Sequence, residues 1–480
     1  MSKSLARNAI YNVIYKALSV LFPLITVTYA SHKLLAFGIG QVSYAQSVVA
    51  YFVIFASLGI PYYGVREIAK SNSQLEENVT FSNIFLLNAL TTTIASVAYY
   101  VFILFSPVLR QQLVLFSVVG VWLLLNFFNV DWYYQGKEEY GYIALRSLCV
   151  KIIFTILLFL TIKGPHDYIK YAFIYYLAIA GNYLFNFVHL RKYVHFDFSR
   201  IEILKHLKSC LIFFSGVVSI ELYMQIGITL LGTYYDKEYV GYYSNMNHVM
   251  RVLSNTLMAL GAVILPRISK YYADGRIEEI RELTSRLICL LAFISLPCSV
   301  MLGILSKHFV PIFFGYSFIP AISTLSILSI LVFILTLIGG VTTPILLSTN
   351  RENMYLKSSF FSLILNIILI AVLMPKFFHN GVAIASVLTE GFMLIISIIY
   401  ISSFIKFKYV FRNLGRIMFM CMILVSCIAL FERLFAYNSL KMIIIEIVLG
   451  VITYFCLALL FKDQSLKFII KEVLKIKKIY

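Results

Sequence analysis

Long apolar runs follow one another from residue 8 to residue 461, separated only by short stretches of charge, Pro, Gly or Asn. A helix needs about 20 apolar residues to cross ~30 Å of hydrocarbon, and a soluble core has no use for so many runs of that length. They read as helices over 8–29, 41–60, 81–105, 113–130, 143–162, 169–190, 209–231, 245–265, 285–305, 317–347, 354–374, 382–404, 414–431 and 440–461. Fourteen spans consume the chain, so the expected fold class is all-α integral membrane. The 317–347 run carries Gly339, Gly340 and Pro344, which predict a kink. Hydrophobic residues make up 61% and charged residues 13% of the 480, against roughly 45–50% apolar in soluble domains. An ordinary soluble enzyme is excluded.

The charge balance is +18, from 40 Lys and Arg against 22 Asp and Glu. With no soluble domain to gather these bases, nucleic acid is not the expected partner. With the amino terminus inside, and bases in the first four residues of a span counted with the adjoining loop, 28 of the 40 fall in cytoplasmic segments, 9 in outer loops, and Lys16, Lys151 and Arg251 deeper inside spans. That asymmetry predicts a multi-pass protein with both termini cytoplasmic. The run 8–29 is too long for a signal-peptide core and reads as a retained helix. The Lys-rich segment 462–478 would lie against anionic head groups. Seven cysteines sit in or beside apolar runs without Cys-x-x-Cys or paired His spacing, so neither a disulfide framework nor a metal site is expected. No P-loop, HExxH or Asp-x-Asp occurs, the outer loops are short, and no cofactor or catalytic residue is indicated. Transport is favoured by elimination.

An offset of 201 residues aligns Ile39-Gly40-x-x-Ser43-x4-Val48 with Val240-Gly241-x-x-Ser244-x4-Val249, and Arg66 with Arg267. Six helices per unit would give the two halves one orientation, related by an axis along the membrane normal. The expected division is therefore an N-terminal lobe over 1–200 with helices 1–6 and a C-terminal lobe over 201–408 with helices 7–12. Two further helices occupy 409–461, and a basic tail runs over 462–480. Such halves usually meet at a central substrate cavity.

In lipid a polar side chain should face protein or water, so polar stripes at helical spacing locate a cavity. Helix one carries Asn8, Asn12, Lys16, Ser19, Pro23 and Thr26 on one face. Helix seven carries Glu221, Gln225 and Thr229; helix eight carries Ser244, His248, Arg251 and Asn255; helix two has Tyr44, Ser47 and Tyr51. Such stripes could equally only bind helices together through hydrogen bonds. Lys16 and Arg251 argue for more, because a charge at mid-membrane costs about 2.5–3.5 kcal/mol. They would present cations to an anionic substrate, or form a structural pair with Glu221. Glu390 shares a face with Ser386 and Ser397 and could carry a coupling ion, whereas Glu446 has no polar companion at helical spacing.

Several stretches resemble the Wzx-type polysaccharide flippases of the multidrug/oligosaccharidyl-lipid/polysaccharide exporter superfamily. They are Pro23-Leu-Ile-Thr-Val-Thr-Tyr29 through Tyr44-Ala-Gln-Ser47, Ser57-Leu-Gly-Ile60, Tyr63-Gly-Val-Arg-Glu-Ile-Ala-Lys70 and Asp131-Trp-Tyr-Tyr-Gln-Gly136, followed by Val240-Gly-Tyr-Tyr243, Leu265-Pro-Arg-Ile-Ser269 and Thr389-Glu390. Two positions depart from the pattern: relatives often carry an acid where Gly227 stands and a lysine where His248 stands. The resemblance implies a fourteen-helix, two-lobed transporter that moves an undecaprenyl-diphosphate-linked oligosaccharide to the outer leaflet. It also implies a side portal and a tail groove involving helices thirteen and fourteen.

On this reading the substrate-binding residues are Asn12, Lys16, Tyr44, Gln225, His248, Arg251 and Asn255, with Arg66 and Arg267 at the cytoplasmic entrance. Glu221, His248 and Glu390 are the candidates for coupling to returning H⁺ or Na⁺. A polysaccharide polymerase and assembly proteins are the protein partners such a role calls for, with the bilayer itself. Three rival readings remain: a flippase for the peptidoglycan precursor lipid, a cation-coupled multidrug exporter, and a membrane-embedded glycan polymerase. The exporter would be expected to show a cavity dominated by acids, and here bases dominate.

Overall fold

The computed structural model describes residues 2–262, 265–435 and 440–467, with the side chains of 2–21, 23, 216–217, 262, 265 and 440 outside what is described. Among the described residues every regular element is helical, and nine helices are long and apolar enough to cross a membrane. The number rises to as many as eleven if each of two bent pairs is one span. The chain divides into two compact units, Met1–Gly241 and Tyr242–Tyr480.

The first unit holds α1 (Ser2–Ser57), α2 (Ile60–Lys70), α3 (Gln74–Phe105), α4 (Pro107–Arg110), α5 (Leu113–Leu125), α6 (Asp131–Gly136), α7 (Tyr140–Thr161), α8 (Tyr168–Leu190), α9 (Ile203–Tyr234) and the first turn of α10 (Lys237–Ala262). The second holds the rest of α10, then α11 (Leu265–Ala273), α12 (Ile277–Phe314), α13 (Ile322–Leu337), α14 (Thr343–Ser348), α15 (Glu352–Tyr400), α16 (Phe407–Leu434) and α17 (Leu440–Leu460).

Two connections differ from those expected. Spans over 8–29 and 41–60 imply an intervening loop, yet α1 is helical throughout except at Leu35, with φ 60° and ψ −179°. The spans over 354–374 and 382–404 likewise meet inside α15 at Phe378, with φ 50° and ψ −127°. Moving one residue out of the right-handed well turns the chain where two helices join. For a leucine or phenylalanine this costs about 1–3 kcal/mol. The helix α2 was not anticipated either. It starts after Gly59, whose φ of 73° suits glycine, with Pro61 in its first turn. The expected kink near Gly339 is a π-helical turn over Ile338–Thr342 between α13 and α14.

On α7, Val150, Phe154 and Leu158 are buried while Ile152, Ile153, Ile156 and Leu160 are exposed. An apolar outer face of this kind needs a hydrocarbon solvent. Inside the first unit, the Asp131–Gly136 segment is a structural keystone. Trp132, Tyr133 and Tyr134 are buried, and a Cβ on Gly64 would lie 2.5 Å from the Trp132 ring, which is how α2 and α6 pack so closely. Tyr133 donates to Glu77 Oε1 at 2.5 Å and Lys137 Nζ donates to its Oε2 at 2.7 Å, so the buried Glu77 carboxylate is fully engaged. Asp131 Oδ1 accepts from Arg146 Nη1 at 3.2 Å and from Asn186 Nδ2. All seven cysteines are free.

Candidate functional site

Backbones touch where α1 meets α9 and α10. A Cβ on Gly40 would lie 1.7 Å from the Lys237 carbonyl oxygen and 3.0 Å from Gly241 N, and one on Gly241 would lie 2.1 Å from the Ala36 carbonyl oxygen. An offset of 201 maps Ala36 onto Lys237 and Gly40 onto Gly241, so each glycine meets the repeat mate of the residue that meets the other. This is the reciprocity of an isologous, two-fold contact. No side chain fits at either position, because backbone touches backbone.

Beside that crossing, Tyr44 is only 3% exposed. Its ring closes over Gly232, its hydroxyl lies 3.3 Å from Thr233 Oγ1, and Lys237 Nζ sits 3.9 Å from the ring centroid while donating to the Gly232 carbonyl. One turn on, Thr229 Oγ1 donates to Ser47 Oγ at 2.9 Å. Half-buried Gln225 and Glu221 follow along the same face of α9. The polar residues of helices two and seven are thus brought together, with Tyr44 inside the seam.

Substituting alanine at Gly40 or Gly241 should destabilise the protein by about 1–3 kcal/mol each, because overpacked backbones must separate. The double variant should cost clearly less than the sum, since one separation relieves both clashes. Unfolding midpoints of the singles and the double in detergent measure this, and strict additivity would remove the shared contact from the account.

On α10, His248 and Asn255 are exposed and Arg251 is half-buried, while Asn245, Met246, Val249, Met250 and Ser254 are buried. The helix therefore turns its apolar side and small polar groups into the second unit and leaves a polar, cationic stripe on the surface. Tyr243 packs inward, its hydroxyl 3.0 Å from Ser386 Oγ on α15. One turn beyond Ser386, Glu390 is buried, next to Thr389, which accepts from Asn366 Nδ2 at 3.2 Å. Glu390 is therefore not on the exposed stripe.

Arg66 stands exposed near the end of α2, its Nε donating to Glu67 Oε1 at 3.0 Å and its guanidinium lying 5.4 Å and 5.0 Å from the Tyr63 and Phe213 ring centroids. Arg267 is exposed on α11, the short helix that follows α10 as α2 follows α1. Near Arg66, Lys205 Nζ donates to Glu202 at 2.7 Å, which holds the Glu202 carboxyl below its usual range. The side chains of Asn12 and Lys16 lie outside the described residues.

Sequence reasoning missed Arg146, a buried cation on α7, and the buried carboxylate Glu77. Their partners stand 15 and 60 residues away, in loops or on other helices. Their immediate neighbours, Glu76 and Asn78 for Glu77 and Leu145 and Ser147 for Arg146, gave no local signal that either is buried.

Residues 5–272 match the family model described as polysaccharide biosynthesis protein, and residues 140–446 match that of the lipid II flippase MurJ. A protein of Escherichia coli (strain K12) named for O-antigen transport is 24% identical over 405 residues, covering 81% of this chain and 94% of that one. The capsular polysaccharide biosynthesis protein CapF of Staphylococcus aureus is 25% identical over 372 residues, covering 75% and 90%. The solved structure of lipid II flippase MurJ in an inward closed conformation is similar with a TM-score of 0.78 at 15% identity, over 95% of this chain and 99% of that one. At that identity the likeness establishes the fold alone. The first family model spans more than half the sequence, and all the motifs read above except Thr389-Glu390 fall in the same region: the chain belongs to the polysaccharide biosynthesis protein family.

Proposed function

We propose that the chain flips an undecaprenyl-diphosphate-linked oligosaccharide repeat unit from the cytoplasmic to the outer leaflet for surface polysaccharide assembly. The observation that carries this reading is the surface stripe of α10, where His248, Arg251 and Asn255 stand at helical spacing with the two ends exposed. A polar cationic stripe at membrane depth must be covered by water or polar groups. A diphosphate cannot cross hydrocarbon unaided, and this stripe offers it cations and hydrogen bonds while the prenyl tail stays in lipid.

Length supports fourteen spans. The 56 residues of α1 would extend about 84 Å at about 1.5 Å per residue, far beyond ~30 Å of hydrocarbon. Divided at Leu35 and Phe378, α1 and α15 supply two spans each. Both bent pairs and the shorter apolar helix Leu113–Phe128 then complete the set. Both termini are placed in the cytoplasm by the basic loops, in a bacterial inner membrane.

In the proposed cycle of alternating access, Lys16 and Arg251, with His248 when protonated, attract the diphosphate, and Arg66 and Arg267 receive it at the cytoplasmic face. Tyr44 closes the seam beside the glycine crossing, and Gln225 and Asn255 meet sugar hydroxyls. Moving about 2 negative charges outward gains about 4–5 kcal/mol at ~100 mV. Return of H⁺ or Na⁺ through Glu221, His248 or Glu390 would add to that drive. The partners are a polysaccharide polymerase and assembly proteins, and no bond is made or broken.

Deleting the gene should leave lipid-linked repeat units in the cytoplasmic leaflet, and purified protein in vesicles should move them across without elongating them. Chain growth by the purified protein would instead identify a polymerase. A second reading is a flippase for the peptidoglycan precursor lipid, supported by the MurJ model match over residues 140–446. Rescue of a strain lacking its own precursor flippase would favour it, and failure to rescue favours the repeat-unit substrate.

A further inference from the structure

A cluster of ligating groups lies outside the polar stripes, where α12, α16 and α17 come together. His308 Nε2 is 3.6 Å from Glu432 Oε1 and 3.8 Å from Glu446 Oε1, and one ligand atom from each residue lies within 4.8 Å of the others. These separations exceed hydrogen-bond distance. The carboxylate of Glu446 is wholly buried, and neither of its oxygens has a hydrogen-bond partner among the described residues. Glu432 gives Oε2 to Lys307 Nζ at 2.6 Å, while its buried Oε1 is likewise without a hydrogen-bond partner and turns toward the other two groups.

An isolated carboxylate sealed in apolar packing is costly unless a cation or proton balances it. Lys307 offsets one of the two negative charges, and the His308 imidazole, 3.6 and 3.8 Å from the two carboxylates, offsets the other only when protonated. The donor set, one imidazole and two carboxylates, suits a first-row divalent transition ion. Bonds of about 2.0–2.2 Å at tetrahedral angles place ligand atoms about 3.4 Å apart, a few tenths of an ångström inside the two distances from His308. The lone Glu446 without companions on its own helix thus finds them on two others, with His308 lying 138 positions earlier in the chain.

We propose that His308, Glu432 and Glu446 form a divalent transition-metal site that staples α16 and α17 to α12, leaving one coordination position for water. Elsewhere along this seam Tyr454 donates to the Phe293 carbonyl at 2.9 Å, and at the other end of α12 Glu278 pairs with Lys406, the residue before α16, at 2.7 Å. A bound ion would add a charged link among the three helices at the His308 end.

The test uses the full chain in lipid nanodiscs, stripped with chelator and then titrated with Zn²⁺ alone. Wild type should bind one more Zn²⁺ per chain than Glu446→Gln, and His308→Asn should weaken that ion by at least about tenfold. Lys307→Met should retain it, because only Glu432 Oε2 is committed to the ammonium. A hundredfold excess of Zn²⁺ over its Kd should raise the wild-type unfolding midpoint by about 3 °C and leave Glu446→Gln unmoved. Equal Zn²⁺ stoichiometry in wild type, Glu446→Gln and His308→Asn would overturn the assignment, as would binding by wild type with no difference in thermal response from the variants. If Glu446→Gln does not fold, His308→Asn decides by the same two readings.

Discussion

Replacing Lys16 and Arg251 together with alanine should reduce transbilayer movement of lipid-linked sugar by at least about tenfold, since each lost charged contact to a diphosphate is worth about 1.5–3 kcal/mol. The effect should appear in vesicles and as accumulated intermediate in cells. Arginine at position 16 or lysine at 251 should restore much of it, because the charge and not the shape is what the diphosphate feels first. Asn255→Ala, which removes a neutral group from the same exposed stripe, should have a smaller effect. Wild-type export by the double alanine variant would end the cationic-path reading while leaving family membership untouched.

The second large effect concerns stability. Asp131→Ala should destabilise the first unit by about 3 kcal/mol, because it strands the guanidinium of Arg146 in the interior. Arg146 has only 7% of its side chain exposed, its Nε has no hydrogen-bond partner among the described residues, and Asp131 Oδ1 is its carboxylate contact. Adding Arg146→Met to Asp131→Ala should recover most of the loss, since an apolar side chain has no charge to strand. The midpoint of thermal unfolding in detergent reads both steps. A double variant no more stable than Asp131→Ala would show that the ion pair is not what Asp131 contributes.

The spans were legible because lipid imposes a length and a composition on every crossing helix, and those constraints act locally along the chain. The junctions were less so. Leu35 and Phe378 themselves take positive φ; Pro375 and Gly381 flank the second and mark a break there, but nothing in the sequence confines either break to one residue. Gly40 and Gly241, aligned at the 201-residue offset, both sit at a backbone-to-backbone crossing that leaves no room for a side chain. Polar stripes could be seen at helical spacing, but spacing does not say which side of a helix is packed: Tyr44 turns into a seam, while His248 faces outward. Partnerships across helices, such as Asp131 with Arg146 or Glu446 with His308, leave no periodic trace at all.

The central claim is that the α10 stripe meets water within the membrane. Cysteine placed at 248 or 255 in a background without the native cysteines should react rapidly with a charged, water-soluble thiol reagent, and lipid-linked sugar should slow the reaction. Cysteine at Ile153, on the apolar outer face of α7, should not react. Labelling at 248 and 255 as slow as at 153, together with quenching by a lipid-borne probe, would place the stripe against acyl chains and contradict the account.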